Sequence, residues 1–254
     1  MGAIPGRGGI VRSVRSNTAQ DDLGWGYIDG LVCGFGSRDL HAPPSTVLPQ
    51  RQVHGVAIAD ANAYADRLAR VEVGDYARVP MEVDALVAPA PGVIVGVRTA
   101  DCVPLLMVAP DQGWAAAVHA GWRGTVAGIA AEAVRAAERA GVAAADLLVA
   151  VGPSIGPCCY EVSDQLGREF DKASLPVQWP DRGGKPHLDL RAANRTVLER
   201  SGVRPEAIQS VGPCTRCQSG VYHSFRAEPE SPGRQVSWIG WEDRTRPAGL
   251  APTR

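Results

Sequence analysis

Two histidines and a cysteine, each set in its own distinctive short sequence, are the residues of this chain best suited to chemistry. They are His54 in Gln52-Val53-His54-Gly55, Cys102 in Ala100-Asp101-Cys102-Val103-Pro104, and His119 in His119-Ala120-Gly121-Trp122-Arg123-Gly124. Two imidazoles and one thiolate suit a zinc or a copper ion, and three protein ligands leave one coordination position for water or substrate. A catalytic metal needs that open position, whereas a structural metal closes it. The three lie far apart in sequence, so no single turn delivers two of them as in a CxxC or HExxH pattern. Taken singly, a cysteine in an apolar stretch is ordinarily core and a histidine ordinarily a hydrogen-bonded filler. Their placement argues for more: each lies where an apolar, strand-like run meets a turn containing Gly or Pro, where α/β folds gather site residues.

The elements that must position them are legible in the middle of the chain. Gly92 to Arg98, Val103 to Val108 and Trp114 to Val118 read as strands, and their continuous apolarity predicts burial on both faces. Leu31 to Phe35 reads as an earlier strand, Ala42-Pro43-Pro44-Ser45 breaks structure, and a short helix is expected across Ala61 to Leu68. From Thr125 to Ala140, apolar residues at Val126, Ile129, Ala130, Ala133, Val134 and Ala137 alternate with charges. That spacing predicts one amphipathic helix, closed by Gly141. Leu147 to Val151 returns as a strand into the rigid turn Gly152 to Pro157. Ser163 begins a helix to about Lys172, and Asp189 caps another to about Arg200, ended by Gly202. Ile208 to Val211, Val221 to Phe225 and Gln235 to Ile239 are the expected late strands. Strands and helices mix without strict alternation. The expected fold class is therefore α/β with a mixed sheet (α+β), in one domain over residues 21–242, with flexible tails at 1–20 and 243–254.

The 254 residues can bury a sizeable core. A formal net charge of −1 offers no electrostatic reason to bind nucleic acid or an anionic membrane. No apolar stretch approaches transmembrane length, and Met1 to Thr18 lacks the apolar segment of a secretory signal. A cytoplasmic protein without membrane or nucleic-acid partners is expected. Of the six cysteines, Cys158-Cys159 lies in a Pro-bounded turn and Cys214-Thr215-Arg216-Cys217 is a CxxC in turn-rich sequence. Adjacent cysteines are read as facing different ways, and the second pair that a zinc ribbon needs is read as absent. Neither pair is expected to bind the catalytic metal or to form a required disulfide.

Several longer motifs carry a resemblance. QVHG at 52–55, TADCVPLLM at 99–107, AAVHAGWRGTVAGI at 116–129, GPSIGPCCYEV at 152–162, LDLRAANRTVL at 188–198, CTRCQSGVYHSFRAE from 214 and GRQVSWI from 233 occur in that order. Together they resemble the bacterial YfiH-type family, also called the laccase-domain, polyphenol oxidase or purine nucleoside phosphorylase family. The resemblance covers about residues 31–240 and implies a single α/β domain like the catalytic domain of cytotoxic necrotizing factor. It implies metal ligation by His54, Cys102 and His119, the trio that coordination chemistry selects. It also implies zinc-linked phosphorolysis of adenosine, inosine and methylthioadenosine, with adenosine deamination alongside. Copper-dependent oxidation of phenols is the alternative, and peptidoglycan-precursor editing a third. One departure is visible: between Gly34-Phe35-Gly36-Ser37-Arg38 and the His54 segment, about twenty to thirty residues of the family pattern are shortened or rewritten.

The implied chemistry singles out further residues. Zinc would lower the pKa of a water to about 7, giving the nucleophile for deamination at the purine C6. Asp101, directly before a ligand, is a candidate catalytic group to move a proton or orient a ligand; the alternative is a turn carboxylate bonded to backbone amides. Phosphorolysis needs an anion site, for which Arg38 and Arg123 are the candidates, because guanidinium groups bind phosphate bidentately. Arg123 is the stronger, lying just after His119 and beside an expected helix start. Arg226 is weaker, and Trp122 could stack on a purine or simply cover the core. Purine nucleosides and phosphate are thus the expected small-molecule partners.

Overall fold

The longest apolar runs become two central strands, β5 (Val103–Ala109) and β6 (Trp114–Ala120), and every residue of both is buried. In this computed structural model the described residues are Leu23, Trp25, 28–43, 45–49, 51–64, 82–88, 91–181, 183–230 and 233–242. The other strands are β1 (Leu31–Phe35), β2 (Ile58–Asp60), β3 (Ala85–Ala88), β4 (Ile94–Thr99), β7 (Leu148–Val151), β8 (Val177–Gln178), β9 (His187–Leu188), β10 (Ile208–Ser210) and β11 (Gln235–Trp241). A six-stranded mixed sheet runs β10-β7-β5-β6-β3-β2, and a three-stranded antiparallel sheet runs β1-β11-β4.

Strand periodicity explains how the large sheet separates two cores. On one face Val103, Leu105 and Met107 pack with Ile129, Val134, Phe170 and Leu198 of the helices. On the other, Leu106 and Val108 pack with Phe35, Val95 and Ile239 of the small sheet. A central sheet covered by helices on one side and a second sheet on the other accounts for strands buried on both faces. Each fully buried Leu, Met or Val contributes about 1.5–3 kcal/mol of hydrophobic stabilisation.

The helices are α1 (Trp122–Ala127), α2 (Ile129–Arg139), α3 (Asp164–Lys172) and α4 (Leu190–Arg200). Ser163 and Asp189 cap α3 and α4 as expected, their side chains accepting from the amides of Leu166 and Ala192. The single helix expected from Thr125 to Ala140 is instead two. Gly128 takes φ +87°, and its amide returns to the carbonyls of Gly124 and Thr125, so it ends α1 and precedes the start of α2.

The strand expected at Val221–Phe225 is a series of turns. Its amides are satisfied elsewhere: Val221 and Tyr222 donate back to the Gln218 carbonyl, and His223 donates to the Gln235 side chain. The helix expected at Ala61–Leu68 is present at Ala61–Tyr64, and the remainder lies outside the described residues, as do the two tails. Among the described residues no helix is long and apolar enough to cross a membrane.

Candidate active site

Strand register brings the distant motifs to one end of the large sheet. β5 pairs with β6 so that Val103 faces Ala120 and Pro104 faces His119, which places Cys102, just before β5, near the end of β6. β3 pairs with β6 so that Ala85 faces Val118, and the next step sets Asp84 beside His119. The His119 amide accordingly donates to the Asp84 carbonyl at 2.7 Å.

The Asp84 carboxylate is fully buried and organises the rest. Its Oδ1 accepts from the His54 amide (2.9 Å) and from His119 Nδ1 (2.8 Å). Its Oδ2 accepts from the amides of Gly55 (2.7 Å) and Val53 (3.3 Å). These bonds hold His54 at φ +61°, a left-handed conformation that costs a non-glycine residue about 1–2 kcal/mol. Burial would raise the Asp84 pKa, but His119 and the amides of Gly55 and His54 outweigh it and hold the carboxyl below its ordinary value. A carboxylate on Nδ1 fixes a proton there, so a metal would bind His119 at Nε2 by displacing the second proton.

The ligand atoms of His54, Cys102 and His119 all lie within 4.8 Å of one another. The two imidazoles meet edge to face, their centroids 4.8 Å apart. Burial alone would raise the Cys102 pKa, but hydrogen bonds to His119 and His54 and their charge bring it down to about 6. His119, lowered by burial, is raised to about 9 by Asp84 and Cys102. A nearby thiolate, two imidazoles and a carboxylate brace form a donor set that fits a divalent metal.

Gly121 permits this closeness. A Cβ there would stand 2.6 Å from His54 Cδ2 and 3.1 Å from Cys102 Sγ. Gly121→Ala is therefore expected to push the His54 ring out of position and to weaken metal affinity by about tenfold or more, the effect of displacing a metal's supporting groups. Competition with a chelator of known affinity measures this, and wild-type affinity in the variant would refute the packing argument.

The three donors sit in a cleft of about 600 Å³, within the usual range for small-molecule sites. Among the described residues, five arginines line it: Arg51, Arg98, Arg123, Arg226 and Arg234. Arg51 pairs with Glu82, and Arg98 donates to the Pro49 carbonyl. Arg123 stacks on Trp122, with Cζ 4.3 Å from the ring centroid, and among the described residues it has no ion pair or hydrogen bond. Arg226 lies over Tyr160 at 5.4 Å and donates to the Glu161 carbonyl. Arg38 stands apart from the cleft lining, bonded to the Glu228 carboxylate and the Ser219 carbonyl.

Asp101 also lines the cleft, but both of its carboxylate oxygens are engaged. Oδ1 accepts from the Thr215 hydroxyl (2.6 Å) and Oδ2 from the Arg226 amide (2.7 Å). With φ +83°, Asp101 makes the sharp turn that presents Cys102, so its geometry is that of a positioning residue. Tyr160 and Phe225 add aromatic surface to the cleft, Phe225 being 52% exposed. Burial, then the negative charge of Cys102, pushes Tyr160 up to about 12, so it keeps its proton at neutral pH.

Sequence reasoning missed Asp84, Tyr160 and the arginines other than Arg123 and Arg226. Asp84 had a signal: a lone acid inside the apolar run Val83-Asp84-Ala85-Leu86-Val87, which must find several donors if buried. The reading of the other cysteines is also corrected. The second pair beside the CxxC is present, because Cys158 and Cys159 join Cys214 and Cys217 in one group with sulfurs within 4.8 Å. The adjacent cysteines both bring their sulfurs to Cys217 because residues 157–159 form a tight turn, with the amides of Cys159 and Tyr160 both bonded to the Gly156 carbonyl. Helix-like winding separates neighbouring side chains by about 100°, against 180° in a strand. This group is separate from that of His54, Cys102 and His119.

The chain is similar to known proteins over most of its length. Adenosine deaminase RL5, from an unknown prokaryotic organism, is 37% identical over 198 residues, covering 76% of this chain and 74% of its own. Purine nucleoside phosphorylase YlmD of Geobacillus stearothermophilus is 37% identical over 194 residues, covering 74% and 70% respectively. The crystal structure of YlmD from Geobacillus stearothermophilus superposes with a TM-score of 0.69 at 31% identity, over 85% of this chain and 93% of that one. A family model described as multi-copper polyphenol oxidoreductase laccase matches residues 36–242. The ordered motifs, the mixed two-sheet fold and that match place this chain in the polyphenol oxidoreductase laccase family, to which the YfiH-type proteins belong.

Proposed function

We propose that the protein cleaves purine nucleosides (adenosine, inosine and methylthioadenosine) with phosphate, and that it deaminates adenosine as a companion activity. One observation carries this reading: a single cleft combines the Asp84-braced group of His54, Cys102 and His119 with the guanidinium of Arg123, which stacks on Trp122 and has no ion pair among the described residues. Both activities appear in the names of proteins 37% identical to this chain.

The metal we assign is zinc, held by His54, Cys102 and His119, with copper as the alternative. All five histidines lie among the described residues, and only two of them share a donor group. That is too few for a set of several histidine-bound coppers, whatever the family's description. When bound, the zinc supplies Lewis acidity that lowers the pKa of a water to about 7 and draws charge from substrate oxygens.

The remaining work falls to the chain's own side chains. Arg123, backed by Trp122, binds the phosphate bidentately, and Arg226, which also lines the cleft, adds a second positive charge. Tyr160 and Phe225 offer aromatic faces to the purine, and the protonated Tyr160 hydroxyl can donate to it. In phosphorolysis a phosphate oxygen bonds to C1′ while the C1′–N9 bond breaks; the electron pair leaves with the base, which takes up a proton. Holding both reactants in one cleft makes the displacement effectively unimolecular. Asp101 keeps the Cys102 turn in place, and Arg38, tied to Glu228, lies outside this scheme.

Chromatography of adenosine incubated with the zinc-loaded protein tests the reading. Adenine and ribose 1-phosphate should form only with phosphate present, and inosine with or without it. Absence of both base and inosine, together with copper-dependent oxygen uptake on phenols, would replace it with the oxidase reading.

A further inference from the structure

The four cysteines that the proposed reaction does not use form a second donor group. Cys217 Sγ lies 3.6 Å from Cys158 Sγ and 3.4 Å from Cys159 Sγ, and all four sulfurs fall within 4.8 Å of one another. Four thiolates around zinc at about 2.3 Å stand about 3.8 Å apart, the edge of that tetrahedron. One sulfur close to two others is the geometry of a cluster; a disulfide would draw two together and leave two aside. The Gly156 amide donates to Cys214 Sγ at 3.2 Å, a bond that supports a thiolate ligand. Two of the thiols, Cys158 and Cys217, are exposed, so an ion can reach the group from solvent.

We infer that Cys158, Cys159, Cys214 and Cys217 bind a second zinc ion, a closed structural site distinct from the candidate active site. Four sulfur ligands fill a tetrahedral zinc and leave no position for substrate. The ion clips two loops together. One runs from Ser154 to Tyr160 and the other from Cys214 to Cys217; they already meet through a short bridge, with the Thr215 amide on the Ser154 carbonyl. Thr215, between the two CxxC ligands, is fully buried and donates to Asp101, while the Ile155 amide donates to the Asp101 carbonyl. Both clipped loops therefore grip the residue that turns the chain into Cys102. The second ion fixes the wall of the cleft without touching substrate.

Metal analysis of the purified full-length protein tests this independently of any catalytic assay. Wild type should carry about two zinc ions per chain, one for each donor group. Cys102→Ala and the double variant Cys214→Ser, Cys217→Ser should each lose about one, and the double variant should also melt at lower temperature. Cobalt loading of Cys102→Ala gives a second readout that requires no change in the cluster itself. The intense thiolate-to-cobalt charge-transfer band should survive there, since the four-cysteine group is intact. Wild-type zinc content in the double variant, or loss of that band in Cys102→Ala, would overturn the inference. Disulfide pairing of these cysteines in the native protein, seen by mass spectrometry, would overturn it as well.

Discussion

Cys102→Ala is expected to lose the active-site metal and to lower kcat/KM for adenosine phosphorolysis by about a thousandfold or more. A metal's stabilisation of transition-state charge amounts to several kcal/mol, and each 1.36 kcal/mol is tenfold in rate. In the proposed site Cys102 is the anionic ligand of the three, its pKa brought down to about 6 by its two histidine neighbours. Without it, two imidazoles remain, a weak set for zinc with no compensating charge. The side chain is small and stands at a turn, so its truncation removes little core packing. Stability should change far less than activity, and this difference separates a ligand from a structural cysteine. Unchanged active-site zinc in the variant would end the metal assignment.

Asp84→Asn carries the second large effect, and here stability and chemistry fall together. The carboxylate accepts four hydrogen bonds, two on each oxygen. An asparagine can keep only one acceptor oxygen, so its amide nitrogen must face two N–H donors in either orientation. Each buried donor left without an acceptor costs about 1–3 kcal/mol. The loss of the carboxylate also frees the His119 tautomer and releases the His54 loop from its left-handed conformation. Zinc affinity should fall by about 10–100-fold, the usual effect of removing a metal ligand's carboxylate partner. Urea denaturation and chelator competition measure the two effects separately. Wild-type values in both would show that Asp84 does not organise the site.

The candidate site was readable where chemistry requires particular residue types in unusual local settings. His54, Cys102 and His119 declare themselves through their motifs, and the strands that carry them through continuous apolar runs. The caps Ser163 and Asp189 were equally legible, because a side-chain oxygen must meet the first free amides of a helix. What escaped depends on register or backbone conformation. Asp84 acquires its role only when β3 pairs with β6 and lands it beside His119. The break at Gly128 is invisible to apolar spacing, which continues across it; only the positive φ reveals two helices. Cys158 and Cys159 look divergent until a tight turn sets them together, and they meet the CxxC only after more than fifty intervening residues have folded. Arg123 was the stronger anion candidate over Arg38 by its place beside a helix start, and tertiary structure separates them further, pairing Arg38 with Glu228 and stacking Arg123 on Trp122 in the cleft.

The most direct test of the account is removal and restoration of metal during phosphate-dependent turnover. Protein stripped by a chelator should yield no adenine and no ribose 1-phosphate from adenosine and phosphate. Zinc returned to the wild-type chain should restore both products, ribose 1-phosphate equalling the sum of adenine and the hypoxanthine formed through inosine, and zinc returned to Cys102→Ala should restore neither. Undiminished product formation by the metal-free wild-type protein, or its recovery in Cys102→Ala, would contradict a metal-dependent phosphorylase built on His54, Cys102 and His119.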